Sequence, residues 1–319
     1  MNGQRCINDH NYLYKKKIKH LIVIEGPTAS GKTGLSIELA KLFNTCIFSA
    51  DSRQFYKEID IGTAKPSKAE QQGIPHYFIN SHSLTDEVTA AQFEKEGLEK
   101  LETEFKTKDV IILTGGSGMF IDALCIGLDP IPSSIELRNK INEEHLNSGL
   151  APLLKELQAK DPSYFDEVDQ KNPMRIIRAI EVIRLTGKTF SEFRVAKPKV
   201  RHFEIHRFVI NHPRENLYNR INQRVDKMME NGLLEEVKSI IQHRKLASLN
   251  TVGYKELFEY IDGNWELEYA IEKIKQNTRN YAKRQITWFK KHPEAIWIDY
   301  SDTKTMAKLI EKKFIENCK

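Results

Sequence analysis

A glycine-rich segment near the amino end of the chain has the residue types needed to bind a phosphate chain. The residues that match the pattern G-x-x-x-x-G-K-[ST] are Gly26, Pro27, Thr28, Ala29, Ser30, Gly31, Lys32 and Thr33. Glycine allows such a loop to curl so that backbone N–H groups point inward, and the lysine adds a full positive charge. The threonine hydroxyl of this pattern usually reaches Mg²⁺. We therefore predict a diphosphate or triphosphate site with Mg²⁺ as its cofactor, rather than a chance glycine turn.

The carboxylates near this loop decide what the phosphate site could do. ATPases and kinases usually carry a second apolar strand that ends in Asp, but the run Val110–Leu113 is followed by Thr114, Gly115 and Gly116. Glycine there either forms a tight turn or allows another group to approach the backbone closely. The remaining candidate is Asp51. Beside a polyphosphate it would be suited to accept a proton, although capping the next turn explains it equally well.

The spacing of apolar runs predicts the elements that position these residues. Short β-rich runs occur at Leu21–Ile24, Cys46–Ser49 and Val110–Leu113, and His202–Ile210 alternates like a strand. Helix-length segments separate them, which indicates an α/β fold, a P-loop NTPase-like parallel sheet flanked by helices. Because open α/β sheets place ligands at the carboxyl ends of their strands, Asp51 should face the phosphate loop.

The pattern of predicted secondary structure changes after residue 130. From there to about Lys199 the segments look helical and are punctuated by Pro152, Pro162 and Pro173. We therefore predict a P-loop catalytic body at 20–130 and 203–319, interrupted by a helical insertion domain at 131–202. Residues 1–19 are interpreted as a mobile basic leader.

Composition and charge restrict the class of protein. The net charge of +5 is compatible with nucleic acid but does not identify it. The four cysteines are far apart, with no C-x-x-C pair and no Cys/His cluster at zinc spacing, which predicts reduced thiols and no zinc. Neither a signal peptide nor a membrane span is evident, so we expect a soluble, cytoplasmic protein that does not bind a membrane.

Several further segments follow one another along the chain and indicate a particular family of phosphate-binding proteins. Besides Gly26–Thr33 they are Asp51–Tyr56, Asp60–Pro66, Gly115–Gly118, Asn172–Arg175 with Arg178, Val252–Tyr254 and Ala282–Trp288. Together they resemble the tRNA dimethylallyltransferase family, also called tRNA isopentenyltransferases. The resemblance covers nearly the whole chain from about residue 20. It is to the shorter, bacterial type, because eukaryotic members add a zinc finger and Cys318 is solitary.

The resemblance implies a reaction in which a dimethylallyl group moves from dimethylallyl diphosphate to N6 of the adenosine 3′ to a tRNA anticodon. The phosphate loop would then hold a leaving diphosphate, with Mg²⁺, Lys32 and Arg220 stabilising its charge. By the same resemblance, Thr28 would bond the bridging oxygen and Asp51 would be the general base. The partners would be the donor and a tRNA anticodon stem-loop, and we expect a monomer.

The resemblance also implies positions that contact tRNA. These are Asp51, Ser52, Arg53, Gln54, Ser117, Arg138, Met174, Arg175, Ile176, Ile177, Arg178 and Lys283. Many family members have threonine where Ser117 stands, which keeps the hydroxyl. Phe55 and Tyr56 are candidates for stacking on an unstacked base, although Phe55 could be a core residue.

Two other functions remain compatible with the phosphate loop. A small-molecule or nucleotide kinase would need tightly bound ATP and a phosphate acceptor. A nucleic-acid-binding module that senses ATP would bind tRNA without forming a product. The missing strand-end carboxylate and the large insertion count against the kinase.

Overall fold

A computed structural model describes residues 18–195 and 197–318. Its six strands form one all-parallel sheet in the order β3-β2-β4-β1-β5-β6. The strands are β1 (His20–Glu25), β2 (Ile47–Ser49), β3 (His76–Tyr77), β4 (Val110–Gly115), β5 (Glu204–Asn211) and β6 (Ile296–Asp299). The central strand β1 lies between β4 and β5 and is fully buried from Leu21 onward, as expected for a parallel sheet covered on both faces. The predicted parallel α/β fold is thereby confirmed.

The residues described divide into two compact units, one formed by 18–125 with 201–318 and the other by 126–200. The helices assigned to the first unit are α1 (Lys32–Leu42), α2 (Lys68–Gln71), α3 (Ala90–Glu104), α4 (Gly118–Ile126), α10 (Arg214–Glu230), α11 (Leu233–Ser239), α12 (Tyr254–Ile261), α13 (Leu267–Phe289) and α14 (Thr303–Asn317). Short 3-10 helices at Ile241–His243 and Ala247–Leu249 join α11 to α12.

Apolar side chains on one face of the sheet fix the helices that flank it. Ile22, Ile24 and Phe208 pack with residues of α1 and α14, including Ile310 and Phe314, in one core cluster. A second cluster joins Val225 of α10 and Ile274 of α13 to α12 and to the loop after β2. The first cluster packs α1 and α14 on the sheet, and the second holds α10, α12 and α13 together next to the loop after β2.

The second unit is a helical body with its own core. Its helices are α5 (Ile135–Ser148), α6 (Ala151–Lys160), α7 (Pro162–Glu167), α8 (Pro173–Thr186) and α9 (Phe190–Phe193). Helix α8 begins at an Asn172 cap with proline at its first position, and its apolar stripe is completely buried. Proline therefore starts helices here instead of breaking them.

Element boundaries differ from the predicted ones at several points. The second unit spans 126–200, whereas the insertion was predicted at 131–202. Strands β3 and β6 were not predicted, because runs of two and four residues carry too little periodicity to be recognised. Of the predicted leader 1–19, only residues 18 and 19 lie within the described part of the chain. Among the described helices, none combines the length and the apolar character needed to cross a bilayer.

Candidate active site

The phosphate loop connects the carboxyl end of β1 to α1. Gly31 adopts φ 90° at the start of α1, a left-handed conformation that favours glycine, and Ala29 also has a positive φ of 62°. A side chain at Gly26 would press against Ser30 Oγ. The backbone therefore turns tightly around the space where a phosphate chain would lie. Strand, loop and helix follow one another as the motif requires.

Lys32 points into the loop itself. Its Nζ donates hydrogen bonds to the carbonyl oxygens of Gly26 and Pro27, each at 2.9 Å. Burial lowers the pKa of Lys32 to about 8; the Asp51 charge opposes this shift and the Arg224 charge adds to it. An anion bound in the loop would reverse this shift, because it would restore a favourable partner for the ammonium group.

Asp51 lies at the same edge of the sheet, directly after β2. Its Oδ1 accepts a hydrogen bond from the Arg53 N–H at 3.1 Å, so the predicted capping role is present. Asp51 nevertheless lines the same cavity of about 710 Å³ as Thr28 and Lys32, in agreement with the expectation that it faces the loop. One carboxylate oxygen thus fixes the turn while the side chain still faces the ligand space.

The residues after Asp51 build the wall of this cavity. The Ser52 N–H donates to Ser117 Oγ at 3.1 Å, and Arg53 Nη1 donates to the Ser248 carbonyl oxygen at 2.8 Å. Gln54 Nε2 donates to the Thr63 carbonyl oxygen at 3.2 Å. The turn after β2 is therefore anchored to the loop after β4 and to the segment before α12. The predicted Asp51–Gln54 and Ser117 positions lie together in one site.

Glycines after β4 allow α13 to approach the phosphate loop. Side chains at Gly116 and Gly118 would overlap with Gln285 and Trp288 of α13. Gln285 Nε2 donates to the Gly116 carbonyl oxygen at 2.8 Å, and Gln285 Oε1 accepts from the Thr28 N–H at 2.9 Å. One α13 side chain therefore bridges the two loops. This is the close approach that glycine at these positions allows.

Arg220 of α10 contacts the phosphate loop at Ala29. Its Nε donates to the Ala29 carbonyl oxygen at 2.8 Å, and its Nη1 donates to the Tyr300 hydroxyl at 3.2 Å. The Tyr300 ring stacks on His212, with ring centroids 3.9 Å apart, and His212 Nε2 bonds the Ser30 carbonyl oxygen at 2.9 Å. Tyr300 and His212 were missed by sequence reasoning, because they follow β6 and β5 and match no local motif.

Arg224, one helical turn after Arg220, lines the cavity together with Asp51 and Lys32. Its Nη2 reaches the Thr63 carbonyl oxygen at 3.4 Å, and it interacts electrostatically with both Asp51 and Lys32. Burial lowers the pKa of Arg224, and the Asp51 charge opposes the shift. Two partly buried cations thus share one carboxylate, and the excess positive charge suits an anionic ligand.

The oxygen donors of the site fit Mg²⁺. Thr33 lines the cavity together with Asp51, and hydroxyl and carboxylate oxygens are the ligands that this hard cation prefers. Ser30 Oγ is buried and has no hydrogen-bond partner within the described residues. The loop therefore contains one buried hydroxyl oxygen without a hydrogen-bond partner among the described residues.

The insertion residues predicted to contact tRNA differ in accessibility. Met174 is 67% exposed and Arg175 is exposed, whereas Ile176 and Ile177 are 0% and 2% exposed and pack in the core of the second unit. Ile176 and Ile177 are thus core residues, because they lie on the face of α8 that is turned away from solvent. Any contact from these two positions would have to come from the backbone.

Arg138 and Arg178 share a buried acidic partner. Arg138 Nε and Arg178 Nη1 each lie 2.9 Å from Glu181 Oε2, and the Ser134 N–H donates to Glu181 Oε1 at 2.7 Å. Burial opposes ionisation of Glu181, but these hydrogen bonds outweigh it and lower its pKa. Both arginines remain more than a quarter exposed, so they support the fold and still face solvent.

The two aromatic candidates for base stacking are core residues. Phe55 is 0% exposed and stacks on Phe93 at 5.4 Å, within a group that includes Phe78 and Phe120. Tyr56 is 4% exposed. An unstacked base therefore cannot pack on either ring. Lys283, in contrast, is exposed on α13.

Comparisons with known proteins agree with this geometry. The family model described as IPP transferase matches residues 54–292. A tRNA dimethylallyltransferase of Bacteroides thetaiotaomicron is 51% identical over 278 residues, which are 87% of this chain and 90% of that protein. The relative from Cytophaga hutchinsonii with the same name is 46% identical over 93% of this chain and 98% of its own.

Solved structures give the same result. The full-length tRNA isopentenylpyrophosphate transferase of Bacillus halodurans is 33% identical, with a TM-score of 0.69 and coverage of 94% of this chain and 96% of its own. A eukaryotic dimethylallyltransferase described as acting on tRNA is 28% identical, with a TM-score of 0.78 and coverage of 94% and 80%. The phosphate loop, the facing aspartate and these similarities agree, and the chain belongs to the tRNA dimethylallyltransferase, or IPP transferase, family.

Proposed function

We propose that this chain transfers the dimethylallyl group of dimethylallyl diphosphate to N6 of the adenosine 3′ to the anticodon of tRNA, and releases diphosphate. The observation that carries the proposal is the joint lining of one cavity by the phosphate loop, two cationic side chains and Asp51. Such a cavity can hold an anionic leaving group and a proton acceptor side by side.

In the proposed reaction the bond between the allylic carbon and the diphosphate oxygen breaks, and a bond from N6 to the same carbon forms. The loop N–H groups and Lys32 stabilise the negative charge that builds on the diphosphate. Arg220 supports the loop by donating a hydrogen bond to the Ala29 carbonyl oxygen. Mg²⁺, held by the Thr33 hydroxyl, would supply further positive charge. Thr28 would bond the bridging oxygen.

Asp51 would take the proton that N6 loses. Its position is fixed by the Arg53 N–H and by the Ser52–Ser117 contact, so the carboxylate need not reorganise when the base arrives. An aromatic amine is a weak nucleophile, and orientation should therefore supply much of the rate. The neighbouring Tyr281 stays a neutral phenol, because burial and then the Asp51 charge raise its pKa to about 12.

Incubation with Mg²⁺, labelled dimethylallyl diphosphate and tRNA tests the proposal. We expect the label in tRNA at the adenosine 3′ to the anticodon. Phosphate transfer from ATP to a small acceptor would indicate the kinase instead. Binding of tRNA without incorporated label would indicate a binding module.

The pKa of Lys32 predicts the alkaline limb of the pH profile. Since this pKa is lowered to about 8 in the free protein, the ammonium loses its proton as the pH rises through that value. We expect kcat/KM for the prenyl donor to fall as the pH rises above about 8, because a neutral amine no longer attracts the diphosphate. Lys32→Arg should remove this limb, and a profile that stays flat to pH values well above 8 would contradict the assignment.

Arg175 gives the sharpest test of the tRNA surface on the second unit. Arg175 is exposed, whereas Arg178 also contacts the buried carboxylate of Glu181. We expect Arg175→Gln to weaken tRNA binding and to reduce the slope of log K against log salt by about one unit. Lys155→Gln removes the same charge from an exposed position of α6 and serves as the control. An equal effect of both variants would remove Arg175 from the interface.

A further inference from the structure

Three side chains with potential metal-ligand atoms lie together at the amino ends of β1 and β5. His20 is the register partner of Glu204, and Ile22 is the register partner of His206. Because side chains alternate along a strand, His20, Glu204 and His206 project from the same face of the sheet. This is the face that α14 covers, through the core that contains Ile22, Ile310 and Phe314.

The distances between these groups suit a metal ion. His20 Nδ1 lies 3.2 Å from His206 Nε2, and Glu204 Oε2 lies 3.5 Å from the first and 3.8 Å from the second. Two nitrogen ligands of a tetrahedral Zn²⁺ at about 2.0–2.1 Å are separated by roughly 3.3–3.4 Å. The two imidazoles therefore already stand at the separation that one shared ion requires.

The end of α14 brings a thiol to the same place. Potential ligand atoms of His20, His206 and Cys318 all lie within 4.8 Å of one another. Phe314, one helical turn before Cys318, packs edge-on against both imidazoles, with ring centroids at 5.2 and 4.9 Å. The two imidazoles thus pack against an apolar ring, while the thiol beside them is exposed. Sequence spacing gave no zinc signal, because the ligands come from three separate elements.

The chemistry of this group selects among metals. Two imidazoles with a thiolate favour a borderline or soft ion of the Zn²⁺ class, whereas Mg²⁺ and Ca²⁺ prefer oxygen ligands only. We propose that His20, His206 and Cys318 bind one Zn²⁺, with the Glu204 carboxylate in the fourth position. The site is separate from the phosphate loop, which follows the opposite end of β1, roughly 20 Å along a strand of this length.

A metal at this position would attach the last turn of α14 to the sheet. Met306, Ile310 and Phe314 of α14 pack in the core beside the sheet, whereas Cys318 at the end of the helix is exposed. Binding would replace the thiol proton by the ion, and the free energy of binding would add to folding stability. The proposal does not depend on the reaction assigned to the other end of the sheet.

Zn²⁺ and Co²⁺ titrations of the full chain, first freed of metal with a chelator, test the site. We expect one Zn²⁺ per chain, a higher melting temperature with Zn²⁺, and a thiolate-to-cobalt charge-transfer band with Co²⁺. Cys318→Ser should lower the Zn²⁺ affinity by at least about tenfold and remove the band. Glu204→Gln should weaken binding but keep the band.

Asn317→Ser is the matched control, because it changes the neighbouring exposed residue and removes no ligand. Cys6 stays in place in every variant, so a signal from that thiol would survive in Cys318→Ser. The proposal is wrong if Cys318→Ser titrates like Asn317→Ser, or if the parent chain takes up no stoichiometric Zn²⁺. Prenyl transfer should be the same in both variants, since neither residue lies at the phosphate loop.

Discussion

Asp51→Asn should lower the rate of prenyl transfer by roughly 10²–10⁴, the usual contribution of a positioned general base. The amide keeps the shape of the side chain and an oxygen for the Arg53 N–H, so the turn after β2 should persist. It cannot accept the N6 proton. We therefore expect kcat to fall while the tRNA affinity changes little, in single-turnover assays combined with binding measurements.

The control for this variant is Asp166→Asn, which removes an exposed carboxylate on α7 of the second unit. It should leave the rate unchanged. A less than tenfold loss in Asp51→Asn would exclude Asp51 as the base. A large loss of tRNA affinity would instead indicate that Asp51 acts mainly in binding.

Lys32→Met should reduce kcat by about 10²–10³, the cost of removing one preorganised group that stabilises developing negative charge. Methionine keeps the length and apolar stem of lysine but lacks the charge. The Gly26 and Pro27 carbonyl oxygens would lose their donor, while the left-handed Gly31 would still shape the loop. Single-turnover transfer with saturating donor, together with diphosphate binding, measures both parts of the effect.

Lys41→Met provides the comparison, because Lys41 lies on the same helix and contacts Glu38 and Gln72 near the surface. Its rate should match that of the parent chain. If Lys32→Met changed only the donor KM and kept kcat, the lysine would bind the ground state and the leaving group equally well.

The segment Asp60–Pro66, one of those on which the family resemblance rests, is anchored by a single carboxylate. The N–H groups of Asp60, Ile61 and Gly62 all donate to the Glu236 carboxylate, at 2.7–3.0 Å. The Tyr254 hydroxyl donates to the same carboxylate at 2.6 Å, and a side chain at Gly62 would overlap with the Tyr254 ring. This anchor holds the segment whose Thr63 carbonyl oxygen contacts Gln54 and Arg224.

A buried charge network fixes α13 beneath the glycine turn. Arg207 donates to both oxygens of Glu25, at 3.1 and 2.9 Å, and to Asp122. Asp122 also accepts from Trp288 Nε1 at 2.7 Å, and Trp288 packs against Gly118. The position of α13, and hence of Gln285, is therefore set in part by the hydrogen bond from Trp288 to a carboxylate that Arg207 holds in place.

The sequence by itself determined the phosphate loop, the parallel sheet and the family. These follow from local patterns: Gly31 must occupy a left-handed turn before α1, and apolar runs such as Leu21–Ile24 are buried wherever the sheet forms. The position of Asp51 at the carboxyl end of a predicted strand placed it near the phosphate loop, and the resemblance then gave Asp51 and Thr28 their roles.

Only the tertiary structure decided which side chains meet across long separations in sequence. Gln285 bridges Thr28 and Gly116, His212 stacks on Tyr300, and Cys318 lies beside His20. The same packing placed Phe55 in a core, where residue type had left its role open, and buried the side chain of Ile176, for which the resemblance implied a tRNA contact. Such contacts depend on how helices close over the sheet, and the free energy of that packing is spread over many residues instead of being encoded in one motif.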